Sequence, residues 1–309
     1  MKTKLLYFLP IFSVICLVGC SRGEFVKDSS EIVSKPSVAL PINKSTTDIT
    51  ANPLVRTTNS DYLKKLNDLA YQLPGSLYLE TEDKKPLVTK DPKTLREPAS
   101  ILKLITATEY LQKVKPSAYV DKYKMSALDL SKYLMITSDN LIAEYMGNTV
   151  GINHLQKVAR TVTNNKSIII TNGSGCNEGT VGNHPHDCGP GPTLLEPVMI
   201  SAYDMVQLMP YIESKLKEVG TTFEELTGYI GSQSSSLNSR YGQYFTDLPN
   251  IQLSGKIGGL SAKPMRSLTG FLITQSGKKV YYTLITPGPK ESTVKAQSEL
   301  LKAVYYDQP

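Results

Sequence analysis

Tryptophan is absent from the chain, and no apolar run is long enough for a confident membrane span. Any stacking against sugar rings would fall to the eighteen tyrosines, whose spacing singles out none of them. Charge of one sign is also scarce: 34 Lys and Arg against 28 Asp and Glu leave a formal +6. Lys2 and Lys4 supply two of those charges, so the chain after residue 19 carries +4. An excess that small, spread along the sequence, does not point to nucleic acid as a partner. No segment repeats. With 40% apolar and 20% charged residues, 309 residues read as an ordinary globular protein with a sizeable core, in one large domain or two small ones.

The first twenty residues have the layout of a secretion signal. Lys2 and Lys4 open it, and an apolar run from Leu5 to Val18 is broken by Pro10. Leu17-Val18-Gly19-Cys20 then resembles the bacterial lipobox, in which the cysteine is acylated and becomes the mature N-terminus. The reading divides the chain into a lipoprotein signal peptide (1–19), a lipidated flexible tether (20–59) and a folded catalytic domain (60–309). The tether is rich in Ser, Thr, Asn and Pro without a sustained period. Lipidation at Cys20 implies an exported protein held at a membrane. Ser21 in the next position, by resemblance to Gram-negative lipoproteins, implies the periplasmic face of the outer membrane.

Export sets the redox compartment. Cys16 leaves with the leader and Cys20 takes the lipid, so Cys176 and Cys188 remain, and two thiols in an oxidising setting pair most simply as one disulfide. The competing reading is a metal site, since His184, His186 and Asp187 lie between them. That spacing matches no familiar zinc pattern, and neither a metal nor another cofactor is expected.

Leu63, Leu66, Leu69 and Leu73 share one helical face after Ser60, and Pro74-Gly75 closes that helix. Ser76–Glu80 and Pro86–Thr89 read as a hairpin. The middle is helical, with Ser126 and Asp129 forming a cap and further helices over about 139–147, 151–162, 201–213 and 221–230. Residues 172–198 read as a long loop stapled by the disulfide. Strands follow at 251–257, 267–275 and 279–286, then a helix at 291–305. This order suits an α/β fold: an antiparallel sheet built from both chain ends, helices on both faces, and an all-helical region.

Three short motifs carry the chemistry. Ser100-Ile101-Leu102-Lys103 opens an apolar helix, Ser138-Asp139-Asn140 follows, and Lys256-Ile257-Gly258 lies on a late strand. Serine at i and lysine at i+3 share a helix face, so the amine reaches the hydroxyl. A serine hydroxyl is a poor nucleophile until a neighbouring base takes its proton. Lysine can be that base once burial or nearby positive charge lowers its pKa, and Lys256 would supply such a charge. Ser138 could relay a proton to the leaving nitrogen, and Asn140 could hold a substrate amide and orient Lys103. The backbone N–H groups of Ser100 and Gly259 are candidates for an oxyanion hole. Each motif alone is weak, since Ser214-Lys217, Ser276-Lys279 and Ser292-Lys295 match the first spacing too. The ordered set is hard to obtain by chance.

Pro98-Ala99-Ser100-Ile101-Leu102-Lys103-Leu104 resembles the nucleophile helix of penicillin-binding D-alanyl-D-alanine carboxypeptidases/endopeptidases. Ser138 to Glu144 is similar to the second motif of their class C low-molecular-mass branch. Asn172-Gly173-Ser174-Gly175 resembles that branch's Asp-Gly-Ser-Gly segment, and Ile200–Met209 the helix after it. The resemblance implies a β-lactamase/DD-peptidase-like fold and catalytic roles for Ser100, Lys103, Ser138, Asn140 and Lys256. It also implies substrate contacts at Ile257, Gly258, Gly259 and Ser174, peptidoglycan stem peptides as substrates, and β-lactams as inhibitors. Three departures stand out. Only Leu104 to Thr137 separate the first two motifs, where relatives carry large inserted domains. Asn172 replaces the usual Asp, and the cysteine-bearing loop follows. Ile257 replaces a Thr or Ser whose hydroxyl holds the substrate carboxylate, a bond worth about 1.5–3 kcal/mol that Arg266 or Ser261 would have to replace. A serine β-lactamase and a degenerate, non-catalytic cell-wall binder are the alternatives. The first lacks a Glu-x-x-Leu-Asn motif after the second motif; the second draws on Ile257.

Overall fold

Leu66 and Ala70 on one side of α1 (Asn59–Gln72), with Leu73 just after its end, are buried, so this helix can rest only against an apolar surface. That surface is a sheet. The computed structural model describes residues 59–176, 197–260 and 264–307. The leader, Cys20, nearly all of the tether, Cys188 with the histidines before it, and Ser261 lie outside those residues.

The sheet has five strands in the order β2-β1-β7-β6-β5, every neighbouring pair antiparallel. β1 (Ser76–Thr81) and β2 (Pro86–Lys90) form the expected hairpin, and β1 pairs with β7 (Lys279–Pro287) near the other chain end. β6 (Met265–Ile273) and β5 (Gln252–Leu260) complete it. β7 is buried from Val280 to Thr286 without alternation, because helices cover both faces of the sheet at its centre. One face carries α1 and α9 (Lys290–Tyr305), packed through Leu66, Val294, Leu301 and Val304. The other carries α2 (Lys103–Val114), α3 (Ala127–Thr137), α4 (Asn140–Val150), α5 (Ile152–Thr163) and α6 (Ala202–Glu218). This is the α/β architecture read from the sequence, with the sheet drawn from both chain ends.

Local chemistry sets the helix boundaries around the site. Ser126 caps α3, accepting from Asp129 N at 3.0 Å and donating to the Asp129 carboxylate at 2.6 Å. Asp139 caps α4 by accepting from Leu141 N at 2.8 Å and Ile142 N at 3.1 Å. Between them Ser138 is left-handed, with φ 59°, so the chain turns sharply from one helix into the next. The helix expected near 221–230 is short, α7 (Phe223–Thr227), and a further single turn, α8 (Asn238–Tyr241), stands where no periodicity announced one. β3 (Tyr119–Val120) and β4 (Met125–Ser126) form a small separate ribbon. Among the described residues no helix is long and apolar enough to cross a membrane.

Candidate active site

Pro98, Ala99 and Ser100 enter the helical region through a strained turn. Ala99 has φ +52°, a left-handed conformation costing about 1–2 kcal/mol for a residue with a Cβ. It is held there from two sides. Ser267 Oγ on β6 donates to the Pro98 carbonyl at 2.6 Å, and Gly175, itself at φ +75°, backs onto the Ala99 carbonyl so closely that a Cβ would sit 2.1 Å from that oxygen. Ser100 then lies on a 3-10 turn (Ala99–Leu102) that runs straight into α2. Ile101, Leu102, Leu104 and Ile105 are fully buried, each worth about 1.5–3 kcal/mol of burial, which fixes the turn against the core.

Lys103 opens α2 with no exposed surface. Its Nζ lies 3.0 Å from Ser100 Oγ, 3.1 Å from Ser138 Oγ, 2.6 Å from the Ser138 carbonyl and 2.5 Å from Asn140 Oδ1. The carbonyl and the amide oxygen can only accept. A neutral amine would therefore spend its two N–H groups on them and keep its lone pair for a hydroxyl, the state a general base needs. Burial supplies that state by bringing the Lys103 pKa down to about 7, while the carboxylates of Asp139 and Glu144 push it the other way. Lys256 on β5 is also fully buried, and its pKa falls well below the ordinary lysine value, first through burial and then through the positive charges of Lys103 and Arg240. Lys256 thus feels the charge of Lys103, but burial is the leading cause in both.

β5 passes directly beside the nucleophile. A Cβ on Gly258 would lie 2.9 Å from Ser100 N and 3.2 Å from Ala99 Cβ, so the strand approaches this closely only because residue 258 has no side chain. Ile257 points elsewhere. Strand alternation turns it away from the face of Lys256, and it is 6% exposed within the cluster that holds Leu237, Tyr241 and Val294. Its side chain packs into that cluster. Ser174 is also occupied, since its Oγ donates to Asn172 Oδ1 at 3.2 Å and accepts from Cys176 N at 3.3 Å, inside a turn pinned to α2 by Thr106 Oγ1 and the Gly173 carbonyl at 2.8 Å.

Beyond Gly258 stand two arginines. Arg240 of α8 donates through Nη1 to the Gly258 carbonyl at 2.8 Å, and the Cβ position of Gly259 lies 3.1 Å from both Arg240 Nη1 and Arg266 Nη1. Burial and Arg266 lower the Arg240 pKa, as expected for two cations crowded into one place. Arg266 was a candidate from sequence; Arg240 was not, because a lone arginine on a one-turn helix carries no periodic signal. The pair places two cations beside the end of β5. Among the described residues no three His, Cys, Asp or Glu side chains converge on a point where a metal could sit.

Comparison with solved structures finds the same arrangement of elements. A class A β-lactamase from Bacteroides cellulosilyticus superposes with a TM-score of 0.55 at 14% identity, over 81% of this chain and 98% of that one. A β-lactamase from Chitinophaga pinensis gives 0.56 at 12% identity, over 79% and 98%. The D-alanyl-D-alanine carboxypeptidase from Mycobacterium tuberculosis gives 0.54 at 16% identity, over 75% and 90%. The chain has the β-lactamase/DD-peptidase fold. No family model and no curated protein matches the sequence. The kinship is therefore one of fold. Within it Ser100, Lys103, Ser138 and Asn140 meet around one amine, and Gly258 of the third motif closes on Ser100.

Proposed function

We propose that the protein is a serine DD-peptidase of the penicillin-binding type, acylated on Ser100 by peptides ending in D-alanyl-D-alanine. The observation that carries this reading is the fully buried Lys103, its amine 3.0 Å from Ser100 Oγ. In this mechanism Lys103 takes the Ser100 proton as Oγ bonds to the penultimate D-Ala carbonyl carbon. The N–H groups of Ser100 and Gly259 stabilise the oxyanion. The C–N bond breaks as Ser138 passes a proton to the leaving amine, and water then hydrolyses the ester. Arg240 and Arg266 receive the terminal carboxylate, the task that Ile257 cannot perform. Lys256 Nζ, fully buried beside them, donates to the Ile257 carbonyl at 3.0 Å.

Rapid β-lactamase turnover would require a carboxylate to activate water against the acyl-enzyme. Of the two carboxylates that act on Lys103, Asp139 is committed to capping α4, and Glu144 Oε2 faces Gly173 N at 3.5 Å. This favours the peptidase. The same reading includes export, acylation of Cys20 at the outer membrane and a Cys176–Cys188 disulfide. Incubation with penicillin followed by mass spectrometry is expected to find the covalent adduct on the peptide containing Ser100, and muropeptides are expected to lose D-alanine. An adduct elsewhere would remove Ser100 from the mechanism; intact muropeptides after prolonged incubation would favour a binding protein, and fast nitrocefin hydrolysis a β-lactamase.

The pH profile has a definite sign. Below about pH 7 Lys103 is an ammonium without a lone pair, so acylation falls as the pH drops through that value. Glu144 helps hold the proton on Lys103, so Glu144→Gln should move this acid limb to lower pH, read from the rate of fluorescent-penicillin labelling. A limb that stays in place or moves up would show that Glu144 does not act on the amine.

A further inference from the structure

Two cations stand together at the end of β5 without an anion to match them. The Cβ position of Gly259 lies 3.1 Å from Arg240 Nη1 and 3.1 Å from Arg266 Nη1, so those two nitrogens are at most about 6 Å apart and repel each other. No carboxylate of the described residues is in ion-pair range of either arginine. Glu291, which lines the same small cavity as Arg240, is exposed and does not reach it. Their donors are also underused. Arg240 spends Nη1 on the Gly258 carbonyl at 2.8 Å, and Arg266 spends Nη1 on the Met265 carbonyl at 2.7 Å and the Leu260 carbonyl at 3.3 Å. Arg266 Nε is buried without an acceptor among the described residues. A guanidinium carries five N–H donors, so most of them remain to be matched. Burial first, and then the charge of Arg266, already lower the Arg240 pKa.

β5 joins this cation pair to the nucleophile. Gly258, the residue before Gly259, would put a Cβ 2.9 Å from Ser100 N. A group held against the arginines therefore lies one residue of strand from the Ser100 turn, about 3.3 Å along it. In the proposed reaction that group belongs to the leaving residue. A terminal D-alanine brings one negative charge to two cations and leaves one positive charge unmatched. We infer that the site is matched to a leaving residue with two carboxylates, a dicarboxylic amino acid of aspartate's size, whose α-carboxylate and side-chain carboxylate share the guanidinium groups of Arg240 and Arg266. The inference rests on the proposed function. The bond broken is the same amide to the D-alanine carbonyl, and the released amine takes the proton delivered by Ser138.

The test uses three peptides with one acyl part and different terminal residues: D-alanine, D-aspartate and D-asparagine, the last two alike in shape and different in charge. The full-length protein is expected to release D-aspartate about tenfold faster in kcat/KM than D-asparagine, the low end for a hydrogen bond to a charged group. Arg240→Gln and Arg266→Gln should each bring that ratio towards one. Lys290→Gln, which removes an exposed cation from the cavity beside Arg240, should leave it unchanged. Inhibition gives a readout without any substitution: free D-aspartate should slow penicillin labelling of Ser100 more than free D-asparagine at the same concentration. Labelling and D-alanine release with no preference for D-aspartate, or a preference that survives both arginine variants, would overturn the dicarboxylate and leave the peptidase intact. An equal drop in Lys290→Gln would make the preference a general effect of surface charge and overturn it too. A protein neither labelled nor able to cleave any of the three peptides would remove the peptidase reading, and this inference with it.

Discussion

Lys103→Ala is expected to slow acylation of Ser100 by 10²–10⁴-fold, the usual contribution of a positioned general base, while the protein stays folded. The two parts of this expectation have one origin. An ordinary lysine would hold its proton to 10.5, and burial brings Lys103 down to about 7. That difference corresponds to about 5 kcal/mol that the folded state gives up to keep the amine neutral. The sign follows from proton binding: between pH 7 and 10.5 the unfolded chain binds more protons, so stability rises with pH across that window. Alanine at 103 removes this cost but leaves the Ser138 carbonyl and Asn140 Oδ1 without the amine, an opposing loss of about 1–3 kcal/mol for each oxygen. The two nearly cancel. Denaturant melts at pH 7 and pH 10 should therefore show a smaller alkaline gain in the variant, the remainder belonging to Lys256, whose pKa is also depressed by burial. A variant that retains its labelling rate would make another group the base. One that loses activity only by unfolding would make Lys103 structural.

How much of this was legible in the sequence depends on how local each signal is. Ser100 and Lys103 could be paired from spacing alone because three residues of helix fix their separation, even though the observed turn is 3-10 up to Leu102 and α-helical only from Lys103. The caps at Ser126 and Asp139 were readable for the same reason: hydrogen bonds two or three residues long are written in adjacent letters. Ile257 shows the opposite case. Family resemblance drew it towards the substrate, whereas simple alternation from the buried Lys256 already placed it on the other face of β5, and there it is found among the contacts of α1 and α9. Arg240 was beyond sequence reasoning. Its position depends on a one-turn helix packed against a strand residue eighteen positions later, and no period or short motif encodes such a meeting. Ser174 was ambiguous for a third reason, since a Gly-Ser-Gly segment reads equally as a substrate loop or as an internally bonded turn, and Asn172 Oδ1 holds it as a turn.

Gly258→Ala carries the second large effect, and it comes from a single methyl group. The added Cβ would sit 2.9 Å from Ser100 N, 3.2 Å from Ala99 Cβ and 2.3 Å from Ser267 Oγ. The Ser267 hydroxyl cannot simply swing away, because it donates to the Pro98 carbonyl at 2.6 Å and so holds the strained turn at Ala99 in place. Backbone must move instead, either β5 outward or the nucleophile turn inward. Both movements would separate the N–H groups of Ser100 and Gly259, the pair proposed above to stabilise the oxyanion. Loss of one such donor costs about 10²–10³ in rate, and the overpacked contact about 1–3 kcal/mol in stability. Adding Ser267→Ala removes the 2.3 Å clash but also the hydrogen bond to the Pro98 carbonyl, and it leaves the approach to Ser100 N, so the double variant should regain only part of the lost stability while most of the acylation defect remains. If the double variant acylates at the wild-type rate, the side chains alone were in conflict and the proximity of β5 to Ser100 is not what positions the oxyanion donors. The single variant acylating normally would be more serious, because it would mean that the strand can withdraw without consequence and that residue 258 has no part in holding the hole open.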